Sequence, residues 1–560
     1  MLAGRAASGE RARYTVGTIL STLGISHEFV SAADVDGAGP LSRGIYLVVG
    51  TADGGLMDRI CRETAVVVLP DPDLESTAPD SVLPEPRTQN PEPALAPKQF
   101  RMLSQPTQGG HLVGIAADLV GLAFKLLARD EEYGVSARDD HDRFLWSGSP
   151  LSATDLGPRP FVSEYAHLLL ACLLEGCLQT RQPVIRKEFW PHGKPMAGCL
   201  THDVDVVKRG KLGRGVAVRD VRGALSSLVR GRLGRAATQI STIAGTAASD
   251  KDPYWSFDRI TTMEEARGYR STYYFMAGNR HPEDAVYSLV EPSIAELMAK
   301  LEGSGCEIGL HGSYLSSVDV EMLGSLKAEL EGKLGHAVVG HRNHFLRFRA
   351  PDSWRAQESV GFAYDATLGF SDREGFRGGH AFPFFPYDLV ADRPMGLLEI
   401  PLAIMDMSLS KYRKLRGADA EDAMETVLRQ TRSVNGLATL LWHNTSFFDP
   451  EFPGGGSLYE SALDWLAENQ CYVAPANEIA GWWKAREAVR LSPLMDGRVG
   501  WRMEAPEEID GLVLRIGLPD AESSPRVGGQ VPLALSRDGT DHLLEYGPLP
   551  AGFAMDIEYS

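Results

Sequence analysis

Residues 196–205 read Met196-Ala197-Gly198-Cys199-Leu200-Thr201-His202-Asp203-Val204-Asp205, and this stretch decides the fold of its region. The small and apolar residues up to Thr201 predict a buried strand, which ends abruptly in an imidazole and two carboxylates. On an extended segment the carboxylates of an Asp-x-Asp pair share one face, but a loop after the strand can separate them. The pattern therefore predicts chemistry at the end of a core strand, where one carboxylate could hold a metal while the other serves as a base.

Short apolar segments alternate with amphipathic segments throughout residues 191–490. Strands are predicted at 196–201, 271–277, 306–311, 337–342, 362–365, 397–401, 437–443 and 471–474. Helices are predicted at 258–268, 291–303, 319–334, 419–434 and 457–469. Because such alternation is typical of parallel strands joined by helices, this α/β region is predicted to form a barrel or an open sheet.

The remaining chain divides into three regions. A helical pattern at 9–24 and apolar runs at 45–49 and 65–69 predict an N-terminal α/β domain over 1–130. Within it, eight prolines among acidic residues and serines predict an exposed loop at 70–97. Further helical patterns occur at 111–129, within this domain, and at 163–180, within 131–190, which is predicted to be a helical connection. Short strands after Leu491 predict a small β-rich domain over 491–560.

Composition indicates a soluble globular protein of two or three domains. The 560 residues exceed one ordinary core, and 43% are hydrophobic and 23% charged. A net charge of -18, from 74 acidic and 56 basic residues, argues against general binding to nucleic acid or anionic membrane.

A cytoplasmic location is expected. The first fourteen residues do not resemble a signal peptide, and the apolar stretch at 168–178 contains Glu175 and is shorter than the roughly 20 residues that cross a bilayer. The six cysteines form no Cys-x-x-Cys pair, which favours reduced and mostly buried thiols.

A basic insertion at 206–250 follows the opening motif. Between Lys208 and Arg235 nine Lys or Arg residues accompany a single acid, Asp220. One interpretation is a solvated amphipathic helical excursion. The other is a lid or a charged collar that attracts an anionic substrate or a lipid head group, with peripheral membrane contact.

Polar residues stand at the carboxyl ends of the predicted strands, the edge at which barrels and related sheets assemble active sites. A lone histidine there is usually structural, and Asp203 and Asp205 could instead cap the next segment, but the joint clustering favours a functional site. The residues concerned are His202, Asp203, Asp205, His311, Arg342, His344, Asp406 and His443.

Four of these strand ends resemble the ordered motifs of a known family. The motifs are Thr201-His202-Asp203-Val204-Asp205, Glu307-Ile308-Gly309-Leu310-His311-Gly312-Ser313, Arg342-Asn343-His344-Phe345-Leu346-Arg347 and Leu441-Trp442-His443-Asn444. They resemble NodB-type polysaccharide deacetylases, carbohydrate esterase family four, over about residues 190–485. Segments 126–133, 140–144, 365–370 and 375–377 resemble a subgroup with an extra N-terminal domain. The resemblance implies a distorted (β/α) barrel of the NodB type.

The resemblance also implies roles for single residues. By motif, Asp203 would be the catalytic base, Asp205 and His311 metal ligands, and Arg342 the partner of the base. His443 would be the general acid, and Asp406 the acidic residue that orients it. A divalent metal, with Zn²⁺ as the expected ion, would polarise the acyl carbonyl and its water.

One departure from the family pattern concerns the metal. The second motif of the family supplies His-x-x-x-His, but the residue four positions after His311 is Leu315, which cannot ligate. Either another loop supplies the third ligand, with His344 as the first candidate, or the metal is weakly held, or hydrolytic function is lost. His202 replaces an aromatic residue of the family. It is expected either to be structural or to contact the site residues without touching the metal or the substrate.

Three functional hypotheses follow from this resemblance. The leading one is a metal-dependent carbon-nitrogen hydrolase that removes an N-acetyl or other N-acyl group from an amino-sugar glycan or its precursor. The second keeps the same fold but acts on another linear amide or a lipid-linked sugar. The third is a catalytically silent glycan-binding module, which Leu315 and the β-rich tail favour.

Overall fold

A computed structural model gives the structure of the protein. It describes residues 9–28, 119–135, 137–154, 157–209, 225–226, 252–450, 452–494, 498–518, 523–528 and 532–559, and the backbone of six short strands between residues 2 and 115. The predicted proline-rich loop and nearly all of the basic insertion lie outside the described residues.

The N-terminal region contains a six-stranded sheet in the order β2-β1-β3-β4-β6-β5. Its strands are β1 (Leu2–Ala3), β2 (Val30–Ser31), β3 (Ile45–Val49), β4 (Val66–Pro70), β5 (Met102–Pro106) and β6 (His111–Ile115). Neighbouring strands are parallel except β5 and β6. Helices Gly9–Thr22, Leu119–Ala128 and Phe161–Gln179 accompany the sheet. The prediction of one helical segment at 111–129 is therefore wrong, because its first residues pair as β6 between β4 and β5.

A curled sheet of parallel strands forms the centre of the molecule. Its strands are β8 (Ala197–Val204), β9 (Thr272–Met276), β10 (Glu307–Gly312), β11 (Gly340–Asn343), β12 (Tyr364–Asp365), β15 (Leu398–Glu399), β16 (Leu402–Met405), β17 (Leu437–Leu441) and β18 (Tyr472–Val473). Eight of them follow the order β15-β12-β11-β10-β9-β8-β17-β16, and β18 pairs with β8. All eight residues of β8 are buried, as expected for a strand covered on both faces.

The sheet is open at one seam. β15 and β16 are separated by two residues of the chain, yet they lie at opposite ends of the strand order and do not pair. The sheet therefore curls without closing its hydrogen-bonded ladder, which confirms the predicted distorted (β/α) barrel. A small antiparallel hairpin, β13 (Tyr387–Asp388) with β14 (Arg393–Pro394), precedes the seam.

Helices cover the outer face of the barrel. They are Phe257–Glu265, Pro292–Gly303, Val320–Leu334, Asp352–Val360, Ala418–Ser433, Gly455–Glu468 and Ala476–Ala488. Helix Val320–Leu334 shows why the boundaries fall where they do. The side chain of Asp319 accepts a hydrogen bond from the Met322 amide at 2.9 Å, and Gly335 ends the helix at φ 80° in the left-handed region.

The C-terminal region forms two antiparallel sheets. Its strands are β19 (Arg490–Pro493), β20 (Gly500–Ala505), β21 (Val513–Gly517), β22 (Pro525–Gly528), β23 (Ala534–Asp538), β24 (Asp541–Glu545) and β25 (Phe553–Tyr559). One sheet has the order β19-β20-β25-β22. The other has the order β23-β24-β21-β7, in which β7 (Val184–Lys187) comes from the segment predicted as a helical connection.

One hydrophobic core joins the N-terminal helices to the barrel. Buried side chains from Ala12 to Leu173 belong to the same cluster as those of the barrel strands, whereas the C-terminal sheets have a second cluster. Helix Phe161–Gln179 is long and apolar enough to cross a membrane, but 61% of its apolar window is buried within the protein. The five cysteines among the described residues are free and buried.

A buried ion cluster also fastens the connecting segment to the barrel. Glu132 accepts hydrogen bonds from Nε of Arg129 at 2.7 Å and from Nε of Arg377 at 2.8 Å. All three side chains are almost completely buried. The segment before helix Phe161–Gln179 is thus tied to the loops around the barrel.

Candidate active site

Seven predicted site residues meet at the carboxyl edge of the barrel. They come from five strands of the sheet: Asp203 and Asp205 at the end of β8, His311 in β10, Arg342 and His344 at β11, Asp406 after β16 and His443 after β17. Because the strands are parallel, their carboxyl ends all open to the same side.

Asp203 forms a buried pair with Arg342. Oδ1 of Asp203 lies 3.0 Å from Nη1 of Arg342, which also donates to Oγ1 of Thr201 at 2.8 Å. Nε of Arg342 donates to the Ala366 carbonyl at 2.8 Å, and its guanidinium lies 4.6 Å from the ring centroid of Tyr274. The arginine is therefore fixed in place, and Oδ2 of Asp203 faces the site, 3.5 Å from Nε2 of His311.

Asp205, His311 and His344 form a cluster that could hold a metal ion. One ligand atom from each lies within 4.8 Å of the other two. Oδ1 of Asp205 lies 3.1 Å from Nε2 of His311 and 3.7 Å from Nε2 of His344. Nδ1 of His311 donates to the Arg342 carbonyl at 2.9 Å, so its Nε2 lone pair faces the cluster.

The donor set fits a divalent cation. Oδ1 of Asp205 and Nε2 of His311 are buried, and although they lie 3.1 Å apart neither forms a well-aligned hydrogen bond. Buried polar atoms without partners are costly, and a cation bound between them would remove that cost. Two imidazoles and one carboxylate are also a ligand set that Zn²⁺ takes at sites with an open position.

Leu315 takes no part in this cluster. Its side chain is 46% exposed, whereas His311 is buried in the site. His344 approaches the cluster from the turn after β11, and its Nδ1 lies 3.9 Å from Oδ1 of Asp284. The third possible ligand is therefore His344 from the turn after β11, and not the residue four positions after His311.

His443 is held by Asp406 on the other side of the cluster. Oδ1 of Asp406 lies 2.8 Å from Nδ1 of His443, and Oδ2 accepts from the His443 amide at 2.7 Å. Ser446 and the Met407 amide also donate to this buried carboxylate, at 2.5 and 2.6 Å. Nε2 of His443 lies 3.5 Å from Oδ2 of Asp205 and so faces the reaction site.

The carboxylates control the charge of the imidazoles. Burial alone would lower the pKa of His443, but Asp406, Asp205 and Asp203 together raise it to about 10. Burial likewise opposes charge on Asp205, yet His344, His311 and His443 hold its pKa well below its usual range. The site therefore attracts positive charge, which either protons on the imidazoles or a metal cation can supply.

His202 lies behind the site and not in it. It is completely buried, with Nδ1 2.7 Å from the Trp442 carbonyl and Nε2 2.8 Å from Oε1 of Glu264. Its ring stacks on Tyr273 at a centroid distance of 4.7 Å. This histidine therefore joins β8 to its neighbours.

A cavity of about 870 Å³ opens over the cluster. Besides the predicted residues, it is lined by side chains that the strand-end pattern does not identify, from the segment before helix Phe161–Gln179, the turn after β11 and the loop after β16. Among them are Arg143, Phe345, Lys411, Tyr412, Lys414 and Arg416. Arg143 and Phe345 had a sequence signal, because they lie in segments 140–144 and 342–347, which resemble parts of the family, whereas Lys411, Tyr412, Lys414 and Arg416 had none.

Comparisons with known proteins match the chain mainly by structure, with 19 similar chains. A family of unknown function (DUF7033) matches residues 78–177, and no curated protein matches the chain. A Mycobacterium smegmatis protein described as a polysaccharide deacetylase is similar in structure, with 18% identity and a TM-score of 0.35, over 53% of this chain and 93% of that one. A Pseudomonas aeruginosa PAO1 protein described in the same way has 14% identity and a TM-score of 0.35, over 52% and 92%.

A third similar structure is Puue allantoinase, with 15% identity and a TM-score of 0.35, over 53% of this chain and 92% of that one. At such identities and TM-scores no residue role transfers to this chain. Each role proposed below rests on the geometry of its own side chains.

Proposed function

We propose that the protein is a metal-dependent hydrolase that removes an N-acyl group, acetyl first of all, from an amino-sugar glycan or its precursor. The observation that carries the proposal is one arrangement at the barrel edge. The possible metal ligands are Asp205, His311 and His344. They lie between the Asp203 carboxylate, which Arg342 holds, and the His443 imidazole, which Asp406 holds.

The side chains can carry out the proton transfers of amide hydrolysis. Asp203 takes a proton from the water that attacks the acyl carbonyl, while Arg342 keeps this carboxylate oriented. His443, charged because of Asp406, gives its Nε2 proton to the leaving nitrogen as the carbon-nitrogen bond breaks. A carboxylic acid and a free amine result. A divalent cation, Zn²⁺ in this proposal, supplies Lewis-acid polarisation of the carbonyl and the water when it is bound.

Acetate release from N-acetylglucosamine oligomers, with Zn²⁺ added, tests the proposal. Asp203→Asn and His443→Ala are each expected to lower kcat/KM by about 10²- to 10⁴-fold, the usual contribution of a general base or acid. Asp422→Asn and His336→Ala are matched controls, since both side chains are solvent-exposed and outside the cavity. Unchanged turnover in the two site variants would show that the assigned mechanism is wrong.

Metal analysis separates the enzyme from a catalytically silent glycan-binding module. About one tightly bound divalent ion per chain is expected for the enzyme. Persistent absence of metal after supplementation, together with glycan binding, would favour the silent module.

A further inference from the structure

One side of the cavity carries an excess of positive charge. Among the residues that the structure describes, the acidic ones that line it are Asp203 and Asp205. The cationic side chains that line it are Arg143, Lys411, Lys414 and Arg416. In a chain with a net charge of -18, this concentration of cations at one opening is a local exception.

The four cations differ in what they already bind. Nη2 of Arg143 lies 2.7 Å from Oδ2 of Asp139, so its charge is compensated. Arg416 donates through Nη1 to backbone carbonyls, at 2.6 and 2.7 Å. Lys411 and Lys414 are exposed, and within the described part of the chain neither has an ion-pair partner, although Nζ of Lys411 lies 5.5 Å from the ring centroid of Tyr412. These two lysines are therefore available to a ligand.

The loop that bears the two lysines is fastened to its surroundings. Tyr412 accepts a hydrogen bond from Nη2 of Arg143 at 2.8 Å, and Oγ of Ser408 donates to the Ser371 carbonyl at 3.0 Å. Arg413 forms an ion pair with Glu374. The lysines thus project from a positioned backbone, which reduces the ordering that a ligand must impose on the loop.

We propose that Lys411 and Lys414 form a subsite for an anionic oxygen group, phosphate or carboxylate, on the same substrate molecule whose acyl group reaches Asp205, His311 and His344. The inference rests on the proposed function and narrows its substrate class to N-acylated amino sugars that carry such a group. A cavity of about 870 Å³ exceeds the needs of an acetamide alone and can hold a sugar with its charged substituent.

Matched substrates test this subsite in the full chain loaded with Zn²⁺. The probes are N-acetylglucosamine, N-acetylglucosamine 1-phosphate and N-acetylmuramic acid, which are neutral, phosphorylated and carboxylated. The measured quantity is kcat/KM for each charged probe divided by that for the neutral one. The double variant Lys411→Gln with Lys414→Gln is expected to lower this ratio about tenfold or more, because two charge-assisted contacts are lost. The charged probe whose ratio falls identifies the anionic group.

Two variants control for charge and for folding. Lys411→Arg with Lys414→Arg keeps both charges and should retain the wild-type ratio, whereas Lys333→Gln removes one exposed charge outside the cavity and should leave every rate unchanged. An unchanged ratio in the double Gln variant overturns the subsite even where deacetylation itself is found.

Equilibrium binding separates the subsite from the proposed chemistry. Calorimetry of N-acetylglucosamine 1-phosphate and of N-acetylmuramic acid with the Asp203→Asn chain needs no turnover. Binding that is lost in the double Gln background and kept in the double Arg background supports the subsite, even if no probe is deacetylated and the proposed function fails. Absence of binding, or binding that does not depend on these charges, overturns it.

Discussion

At the scale of single residues, the site divides into parts that the sequence identifies and parts that it does not. Asp203, Asp205 and His311 could be predicted because each ends a clear apolar strand. His344 could only be suggested, since it reaches Asp205 through the packing of a turn. Lys411 and Lys414 had no signal at all, because lysines in a polar loop are ordinary surface residues and only tertiary packing places them at the cavity.

His344→Ala is expected to lower the affinity for Zn²⁺ by at least about a hundredfold. Removing a residue that only hydrogen-bonds to a metal ligand already lowers the metal affinity about ten- to a hundredfold, and removing a ligand itself lowers it further. Competition with a chromophoric chelator measures the change. His336→Ala, which removes a half-exposed imidazole outside the site, should leave the affinity unchanged. Equal affinities in the two variants would exclude His344 as a ligand.

Leu315→His restores the missing His-x-x-x-His pattern, yet it should leave the Zn²⁺ affinity within about threefold of the natural chain. The reason is geometric, because the side chain at this position is 46% exposed and lies outside the ligand cluster. The same chelator titration measures the effect. A gain of tenfold or more would mean that the segment moves to ligate and would contradict the geometry.

At the scale of elements, the alternation of apolar and amphipathic segments predicts most of the barrel. Most strands and helices observed between 197 and 473 fall on the predicted ones within a few residues, but β13, β14 and β16 were not predicted as strands. Helix Asp352–Val360 was missed because it has only nine residues and few of them are apolar. β6 was misread as helix because strand pairing is non-local and leaves no trace in a five-residue window.

The buried ion cluster of the connecting segment should dominate its attachment to the barrel. Glu132→Gln leaves Arg129 and Arg377 buried with less compensation and is expected to lower the free energy of unfolding by about 3 kcal/mol. Urea denaturation measures it. Glu425→Gln breaks only an exposed pair with Arg429 and should change the stability by less than about 0.5 kcal/mol.

The same variant predicts a pH dependence. Burial opposes charge on Glu132, but Arg129 and Arg377 lower its pKa to about 2. A carboxyl group whose pKa is lower in the folded than in the unfolded state contributes its full stabilisation at pH values above the unfolded pKa. This stabilisation is lost as the pH falls through the folded pKa. The stability difference between the natural chain and Glu132→Gln should thus be complete near pH 6.5 and smaller at pH 3. A difference that grows towards low pH would contradict the assignment.

At the scale of the whole molecule, the C-terminal sheets include a strand that precedes the barrel in the chain. β21 pairs with β7, whose residues precede the barrel, and Ile185 belongs to the C-terminal core. Nζ of Lys187 donates to the Arg486 and Val489 carbonyls at 2.8 Å, at the end of helix Ala476–Ala488. The two ends of the barrel segment are therefore joined through the C-terminal sheet.

Truncation after residue 490 should destabilise the barrel. It removes the partner of β7 and exposes Ile185 and Val489, so the shortened chain should aggregate or melt well below the full chain. Thermal unfolding and size-exclusion chromatography measure this effect. A truncated chain that is monomeric and melts with the full chain would show that the region folds independently.

The pairing of β7 with β21 also sets an order of events during synthesis. Glu188 and Arg515, which form a hydrogen bond beside this pairing, are 327 residues apart. At about 5–20 residues per second, the ribosome needs roughly 15 to 65 seconds to supply the second strand after the first. During that interval β7 is outside the ribosome without its partner strand. Its edge can therefore pair with other chains until β21 has been synthesised.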